Sequence, residues 1–570
     1  MSILMRTPVG NHETKRLWIL STIIMAFMTL PALHAQTPYF SWIETAGGVG
    51  YESLWDMAVD PSGNCYVVGS FNQTATFDGT DLISQGYTDI YIAKYDSSGE
   101  LVWAKGFGSS DYNEAQCVAV DADTNILVAG AYGGSVDFET DILSGASNIF
   151  ILKMDPDGNV LWARQAGGPG NESVRDIVLD EADNIYLTGK IENNAQFGPY
   201  VLTTGGNQSA FVAKYNTAGQ VQWAYAYGGG TWLGGYAITM DPAGFLRVTG
   251  RFTEQITLDG ITLNSQGSWD GFIMKQTQNG TVLWAKGFGG LDNETMHGIA
   301  SDDAGNTVIT GFFGENGNPV FFDEDTLYSI NDLSDILVAK FDSSGNMIWA
   351  KAAGGPFPDT GFDVTMDGIG NSYVTGRFRD STLFADTTLI SAGNGDIFIV
   401  KYDPEGEIVW IKRAGGTTID EGHSIVLHGS NDLYVGGFFS GSANFDRTTK
   451  NSAGNDDIFV SKLDQPLSGI PSGLKCRPTA LMLYQNYPNP FNPATTIQYD
   501  LTEVSSVKLN IYNIRGQRIT QLVNAIQDAG PHTVRWAAVR ESDENCPSGI
   551  YFYELKTGSH REVRKMFLLK

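Results

Sequence analysis

The sequence predicts an all-β protein: a seven-bladed β-propeller followed by a small β-sandwich. Three observations predict this. First, a Trp-Ala-Lys-x-x-Gly-Gly stretch recurs with small variations at Trp42, Trp103, Trp162, Trp223, Trp284, Trp349 and Trp410, spaced by 61, 59, 61, 61, 65 and 61 residues. Spacing this regular marks one supersecondary unit copied seven times. Second, each copy carries short apolar-alternating runs separated by Gly/Asn/Asp/Pro turns, the pattern of antiparallel strands. Third, residues 481–570 leave the repeat and carry about six further strand-like runs, with nothing helical.

Taken in order, the chain opens with Arg6, Lys15 and Arg16 ahead of a 14-residue apolar run, Leu17 to Leu30. A spanning helix needs about 20 residues, so 1–35 reads as a signal peptide cleaved near Ala35. No transmembrane segment is expected after cleavage. Residues 37–474 hold 21 basic and 55 acidic side chains, a net charge of −34. Such a surface repels phosphate backbones, which argues against nucleic-acid binding. Cys65 and Cys117 sit inside repeats as isolated substitutions. Cys476 and Cys546 flank the C-terminal segment, and their pairing is left open, since sequence does not supply their separation.

Within a repeat, the first run ends at Asp60, Asp121, Asp180, Asp241, Asp302, Asp367 or His428, followed by a tight turn such as Pro61-Ser62-Gly63-Asn64. A second run (Tyr66-Val67-Val68-Gly69-Ser70-Phe71) has Gly at one place in all seven copies. About 17 looser residues follow. The third run, Asp-Ile-Phe-Ile-x-Lys-Tyr-Asp, puts Lys94, Lys153, Lys214, Lys275, Lys340, Lys401 and Lys462 in register. Another tight turn leads to the Trp strand. The in-register tryptophans predict packing between sheets. The lysines are expected to pair with the Asp residues that start or flank their own strand. Tyr39-Phe40-Ser41-Trp42-Ile43 has no third run before it, and Lys462-Leu463-Asp464 has no Trp strand after it. The N-terminal strand is therefore expected to complete the seventh sheet and leave no open edge.

These motifs together (Gly-Asn-x-Tyr-Val-x-Gly-x-Phe, Asp-Ile-Phe-Ile-x-Lys-Tyr-Asp and Gly-x-x-x-Trp-Ala-Lys) resemble the SBBP-type β-propeller repeat family of secreted bacterial proteins over 39–465. The resemblance implies the fold and no shared catalytic activity. The propeller is assigned to 37–465 and a Pro/Gly-rich linker to 466–480. Residues 481–570 resemble the type A C-terminal sorting domain of the type IX secretion system. The likeness rests on Asn486-Tyr487-Pro488-Asn489-Pro490-Phe491-Asn492-Pro493, Ile514-Arg515-Gly516-Gln517, Pro547-Ser548-Gly549-Ile550-Tyr551 and the terminal Lys565-Met566-Phe567-Leu568-Leu569-Lys570. That resemblance implies an Ig-like fold, the secretion machinery as partner, and delivery to the outer cell surface or the medium.

No catalytic constellation is evident. The exported chain has five histidines without metal-ligand spacing, and no nucleophile elbow or phosphate loop. Asp-rich turns such as Asp155-Pro156-Asp157-Gly158-Asn159 lack the distal Glu of a calcium loop and read as turns. Two features break the pattern. Eight residues before each first-turn Asp or His428 stand Glu52, Asn113, Glu172, Leu233, Glu294, Asp359 and Asp420. The five carboxylates, Glu52, Glu172, Glu294, Asp359 and Asp420, form a candidate ring at the channel mouth that either holds a cation or accepts backbone N–H bonds. Trp55, Trp232 and Trp269 lie outside the repeated Trp position and offer faces on which a sugar or peptide could stack, or else fill local apolar space. The sequence thus points to an exported, cofactor-free binding or adhesion platform whose partner is an extracellular glycan or protein. A polysaccharide hydrolase or lyase on the same scaffold is the alternative.

Overall fold

In the computed structural model, residues 38–465 are described except 230, 323–324, 331–332 and 430. Of the C-terminal part, 482–483, 486, 489, 491, 495–501, 505–527, 530–538, 546–558 and 560–569 are described. The expected signal peptide, the linker and Cys476 lie outside these residues. Every regular element described is a β-strand, and no helix among them is long and apolar enough to cross a membrane. The described chain divides into a large unit within Ala35–Ser468 and a small one within Gly469–Lys570.

In the large unit, four strands pair antiparallel in chain order, seven times over. The first set is Glu52–Val59, Cys65–Phe71, Asp89–Tyr95 and Leu101–Phe107. The seventh is Asp420–His428, Asp432–Phe445 and Thr448–Asp464, completed by the N-terminal strand Tyr39–Gly48. There Trp42 faces Lys462, the same cross-strand pairing as Lys94 with Trp103 in the first set. The first strands lie side by side from set to set, and Asp420–His428 lies against Glu52–Val59.

The apolar core lies in layers between neighbouring sheets, because each sheet is apolar on both faces. Val68 and Ile92 of the first set share a cluster with Val128, Phe150 and Leu152 of the second. Val460 and Ile458 of the seventh meet Leu54, Val67 and Tyr91 of the first. The in-register tryptophans reach across the same seams. Trp349 Nε1 donates to the Pro404 carbonyl at 3.0 Å in the next set's turn. Gly406 of that turn (φ 84°) brings its backbone against the Trp349 ring, where a Cβ would stand 2.8 Å from Cδ2.

Two expectations are corrected. The 17 looser residues fold into a hairpin in every set, such as Thr74–Phe77 with Thr80–Ile83. Asp78 and Gly79 at φ 42° and 83° make its turn, an Asp-Gly signal flanked by alternating apolar residues. The hairpin pairs with the Gly-Gly after the preceding Trp strand, Gly47 with Thr76 and Gly48 with Ala75. A Cβ on Gly48 would lie 1.8 Å from the Thr74 carbonyl, which is why the second Gly recurs. Four of the lysines, Lys153, Lys214, Lys275 and Lys340, pair with the first-turn Asp rather than with the ends of their own strand, as in Lys153–Asp121 at 2.7 Å and Lys214–Asp180 at 3.5 Å. Lys94 donates to the Pro156 carbonyl, and Lys462 pairs with Asp432. Strands one and three end at one edge of the sheet, so the first turn lies nearer the amine than the third strand's own carboxylates do. The Asp-rich turns cap themselves: Asp155 Oδ1 accepts the Asp157 and Asn159 N–H at 3.0 and 2.8 Å.

In the small unit, Met482–Leu483, Thr495–Leu501 and Gly530–Trp536 form one sheet, and Arg518–Gln527, Ser505–Asn513, Gly549–Thr557 and His560–Leu568 another. Residues of both, including Ile497, Tyr499, Leu509, Tyr553 and Met566, share one core. Residues of the Pro-rich motif bind the last strand: Phe491 N donates to the Phe567 carbonyl at 2.9 Å, and Asn489 Oδ1 accepts the Phe567 N–H at 2.8 Å.

Candidate ligand site

The first strand of every set breaks register at the same point, between Leu54 and Asp56 in the first set and between Gly422 and Ser424 in the seventh. The residues passed over are Trp55, Gln116 and Arg175 in sets one to three, Tyr236 in the fourth, and His297, Phe362 and His423 in the last three. A bulge leaves its extra residue unpaired and re-aims the side chain. Here all seven are aimed into one cavity of about 410 Å³.

Their side chains form a nearly continuous belt. Arg175 donates to Gln116 Oε1 at 3.1 Å and lies over the Tyr236 ring at 5.7 Å. Tyr236 meets His297 edge-on at 5.8 Å, Phe362 stacks on His423 at 4.5 Å, and His423 meets Trp55 at 5.2 Å. Arg251 also lines the cavity. Its guanidinium lies 4.1 Å from the Trp269 ring centre and 5.4 Å from that of Tyr236, and it donates to Thr295 Oγ1 at 3.3 Å.

Burial, reinforced by Arg175 and Arg251, holds His297 down at about 3, so it is neutral at physiological pH. Burial works to raise Glu421, but His423 Nε2 at 2.8 Å and the Arg377 guanidinium outweigh it and keep the carboxyl below its ordinary range. Asp56, Asp176 and Asp363 follow their bulges and reach across to the next set. They accept Val118, Ile238 and Ile425 N–H at 2.8, 2.7 and 2.8 Å. Burial pushes Asp56 up to about 6 and Asp363 to about 7, and raises Asp176 well above the carboxylate range.

Of the residues singled out from sequence, Trp55 lines this cavity, Trp269 backs Arg251, and Trp232 lies 6.3 Å from Trp269. All three are half-buried. Glu52, Glu172, Glu294, Asp359 and Asp420 are fully buried where one set meets the next. Glu52 and Glu294 accept the N–H of the second Gly of Gly-Gly, Gly48 at 3.0 Å and Gly290 at 2.9 Å, and Asp420 that of Gly416 at 2.7 Å. Each of Glu52, Glu294, Asp359 and Asp420 also faces the Asp that heads the preceding set's Asp-Ile-Phe-Ile run: Asp457, Asp270, Asp335 and Asp396. Glu52 Oε1, Glu294 Oε1, Asp335 Oδ1, Asp359 Oδ2, Asp396 Oδ1 and Asp457 Oδ1 are buried without a hydrogen-bond partner. Burial, then the facing carboxyl, pushes Glu52 and Glu294 up to about 8 and Asp359 and Asp420 to about 7. At the equivalent place Asn113 Nδ2 donates to Asp89 Oδ1 at 3.3 Å. Among the described residues no group of three or more His, Cys, Asp or Glu is placed to hold a metal ion.

Sequence reasoning missed the bulge belt. Its signal lies three residues after each buried-ring position, where the repeats have no common residue and only His occurs twice. The Asp residues that open the third runs, expected to pair with the lysines of their own strand, instead face carboxyls that belong to another copy.

Comparison with known proteins bears on both parts. Residues 485–569 match the secretion-system C-terminal sorting domain, and residues 161–194 match a β-propeller repeat. The sorting domain makes this an exported chain of the type IX system, displayed at the cell surface or released, and implies interaction with that machinery. An uncharacterized WD repeat-containing protein of Acanthamoeba polyphaga mimivirus is 22% identical over 438 residues, 60% of this chain. The chain spans 31% of that relative's length. The regulatory protein FlaEY of Caulobacter vibrioides is 26% identical over 208 residues, covering 34% of this chain and 21% of its own. Among solved structures, PorZ, a surface component of the type IX secretion system of Porphyromonas gingivalis, aligns over 93% of this chain and all of its own, with 11% identity and a TM-score of 0.17.

Proposed function

We propose that this chain is a surface-displayed or released seven-bladed β-propeller that binds an extracellular ligand in its central cavity, carried there by an Ig-like sorting domain. The seven four-stranded sets, their side-by-side first strands and the N-terminal strand in the seventh sheet support the ring. The shared core of the two C-terminal sheets supports the sandwich. The observation that carries the binding role is the bulge belt, where six residue types, only His recurring, occupy one repeated backbone position in seven copies around a cavity. Packing demands alone would keep such a position alike from copy to copy, as they keep the tryptophans alike.

Screening the full mature chain on a glycan array, beside a Trp55→Ala, Phe362→Ala variant, tests this. Binding that the variant loses while retaining its melting temperature supports the cavity. Binding that survives moves the site elsewhere. Deleting 481–570 is expected to trap the propeller in the periplasm, read by surface labelling of cells, and normal display of the truncated chain contradicts the sorting role.

A second reading, a polysaccharide hydrolase or lyase, draws on Arg377, Glu421 and His423 in contact, with His423 lining the cavity. It requires turnover that His423→Ala abolishes.

A further inference from the structure

We propose that the cavity takes an anionic sugar, a pyranose unit bearing a carboxylate or sulfate, with its acid group between Arg175 and Arg251. This rests on the reading of the cavity as the binding site and adds the chemistry of its ligand. A surface with a net charge of −34 over residues 37–474 would by itself repel such a molecule, so the cationic wall at this one place calls for a reason.

Arg175, Lys190 and Arg251 stand close enough for the two guanidiniums to depress the Lys190 amine, after burial has done so more strongly. One carboxylate adjoins them, Glu192, 3.8 Å from Lys190. Neither guanidinium has a carboxylate partner among the described residues; each donates to a neutral oxygen, of Gln116 and Thr295. The remaining acids near the cavity are engaged elsewhere. Asp56, Asp176 and Asp363 each bind a backbone N–H of the next set, and burial holds them toward the neutral form. Glu114 accepts from Gln116 at 2.7 Å, and Glu421 is held by Arg377 and His423. Three like charges gathered in a half-buried site with one carboxylate beside them raise each other's energy, and an incoming anion relieves this. Arg is also the side chain whose planar fork matches a carboxylate or sulfate.

The sugar part follows from the remaining wall. Tyr236, Phe362 and Trp55 present aromatic surface within the cavity, and Trp269 holds Arg251 flat from behind. Flat apolar faces beside fixed guanidiniums suit a ring with one C–H face and one charged substituent. The volume of about 410 Å³ falls within the range of roughly 300–1,000 Å³ for small-ligand sites.

The test is calorimetric titration of the full mature chain with a galacturonate oligomer and with the neutral galactose oligomer of equal length, at low and high salt. The acidic oligomer is expected to bind at least tenfold more tightly, to weaken with salt, and to lose at least tenfold in Arg175→Gln and Arg251→Gln, with Arg251→Lys intermediate. Melting temperatures confirm that each variant is folded. Equal affinity for the two oligomers, insensitive to the Arg variants but lost in Trp55→Ala, overturns the charge assignment while the cavity stands. Displacement of the galacturonate by an equal concentration of a glutamate-rich peptide overturns the sugar assignment. Failure of both oligomers to bind, or binding that no cavity variant alters, overturns the inference, and the latter overturns the cavity reading with it.

Discussion

Two rings run round the large unit, three residues apart on the same seven strands, and they differ in every respect but position. The first, from Glu52 to Asp420, is fully buried, holds a carboxylate in five of seven places and an amide in a sixth, and binds the Gly-Gly backbone of the neighbouring set. The second, from Trp55 to His423, is half-buried and holds an indole, an amide, a guanidinium, a phenol, two imidazoles and a phenyl. A position whose partner is backbone sees the same geometry in each copy and keeps one chemistry. A position whose partner is not part of the repeat is free to differ.

Breaking the packing between neighbouring sheets, and then the first ring, should show the largest effects. Trp349, buried against the next set's turn, should lose about 3–5 kcal/mol on replacement by Ala. A loss near zero by chemical denaturation would mean that the seams do not hold the sheets together. Asp420→Ala leaves the Gly416 and Ser440 N–H groups unmatched and should cost about 2–3 kcal/mol. Asp420→Asn keeps an acceptor and should cost much less.

The same ring gives the protein a pH profile. Glu52, Glu294, Asp359 and Asp420 have folded-state pKa values raised to about 7–8, against the ordinary 3.8–4.5. The native state therefore holds protons that the unfolded chain has released. Stability from these groups is complete below the ordinary value and falls as pH rises through 7–8, with a slope of about 1.4 kcal/mol per pH unit for each retained proton. Turn carboxylates such as Asp121, Asp180 and Asp342 are shifted down by their hydrogen bonds despite burial. Their contribution is present above the ordinary value and is lost as pH falls through the lowered one. Melting scans should therefore peak in mild acid. A Glu52→Gln, Glu294→Gln, Asp359→Asn, Asp420→Asn variant, which copies what Asn113 already does, should flatten the alkaline limb. An unchanged limb would place the protons elsewhere.

The smallest stability effects are expected in the second ring. Gln116→Ala should shift stability by no more than about 0.5 kcal/mol while changing ligand affinity. The reverse result would make the belt a packing feature.

How much was legible follows the range of the interactions. The Trp and Lys rows, the tight turns and the closing role of Tyr39–Gly48 could be read because each repeats at a fixed offset within one copy. The Asp78-Gly79 hairpin is local too, signalled by an Asp-Gly pair between alternating apolar residues. The facing of Glu52 by Asp457, and the Lys153–Asp121 pair, could not be read from spacing, because the partners meet through sheet pairing and set-to-set contact. The bulge was hidden for the same reason: register is a relation between two strands, and alternation along one does not reveal a skipped residue.

By itself, then, the amino-acid order determined that the chain would be built from seven like antiparallel units and exported with a sorting tail, since local periodicity, turn chemistry and motif composition are properties of contiguous residues. Only the tertiary structure decided that one ring of side chains would be sealed between the sheets and another, three positions on, turned into a shared cavity. That choice depends on where a strand slips against its neighbour and on which copy lies beside which.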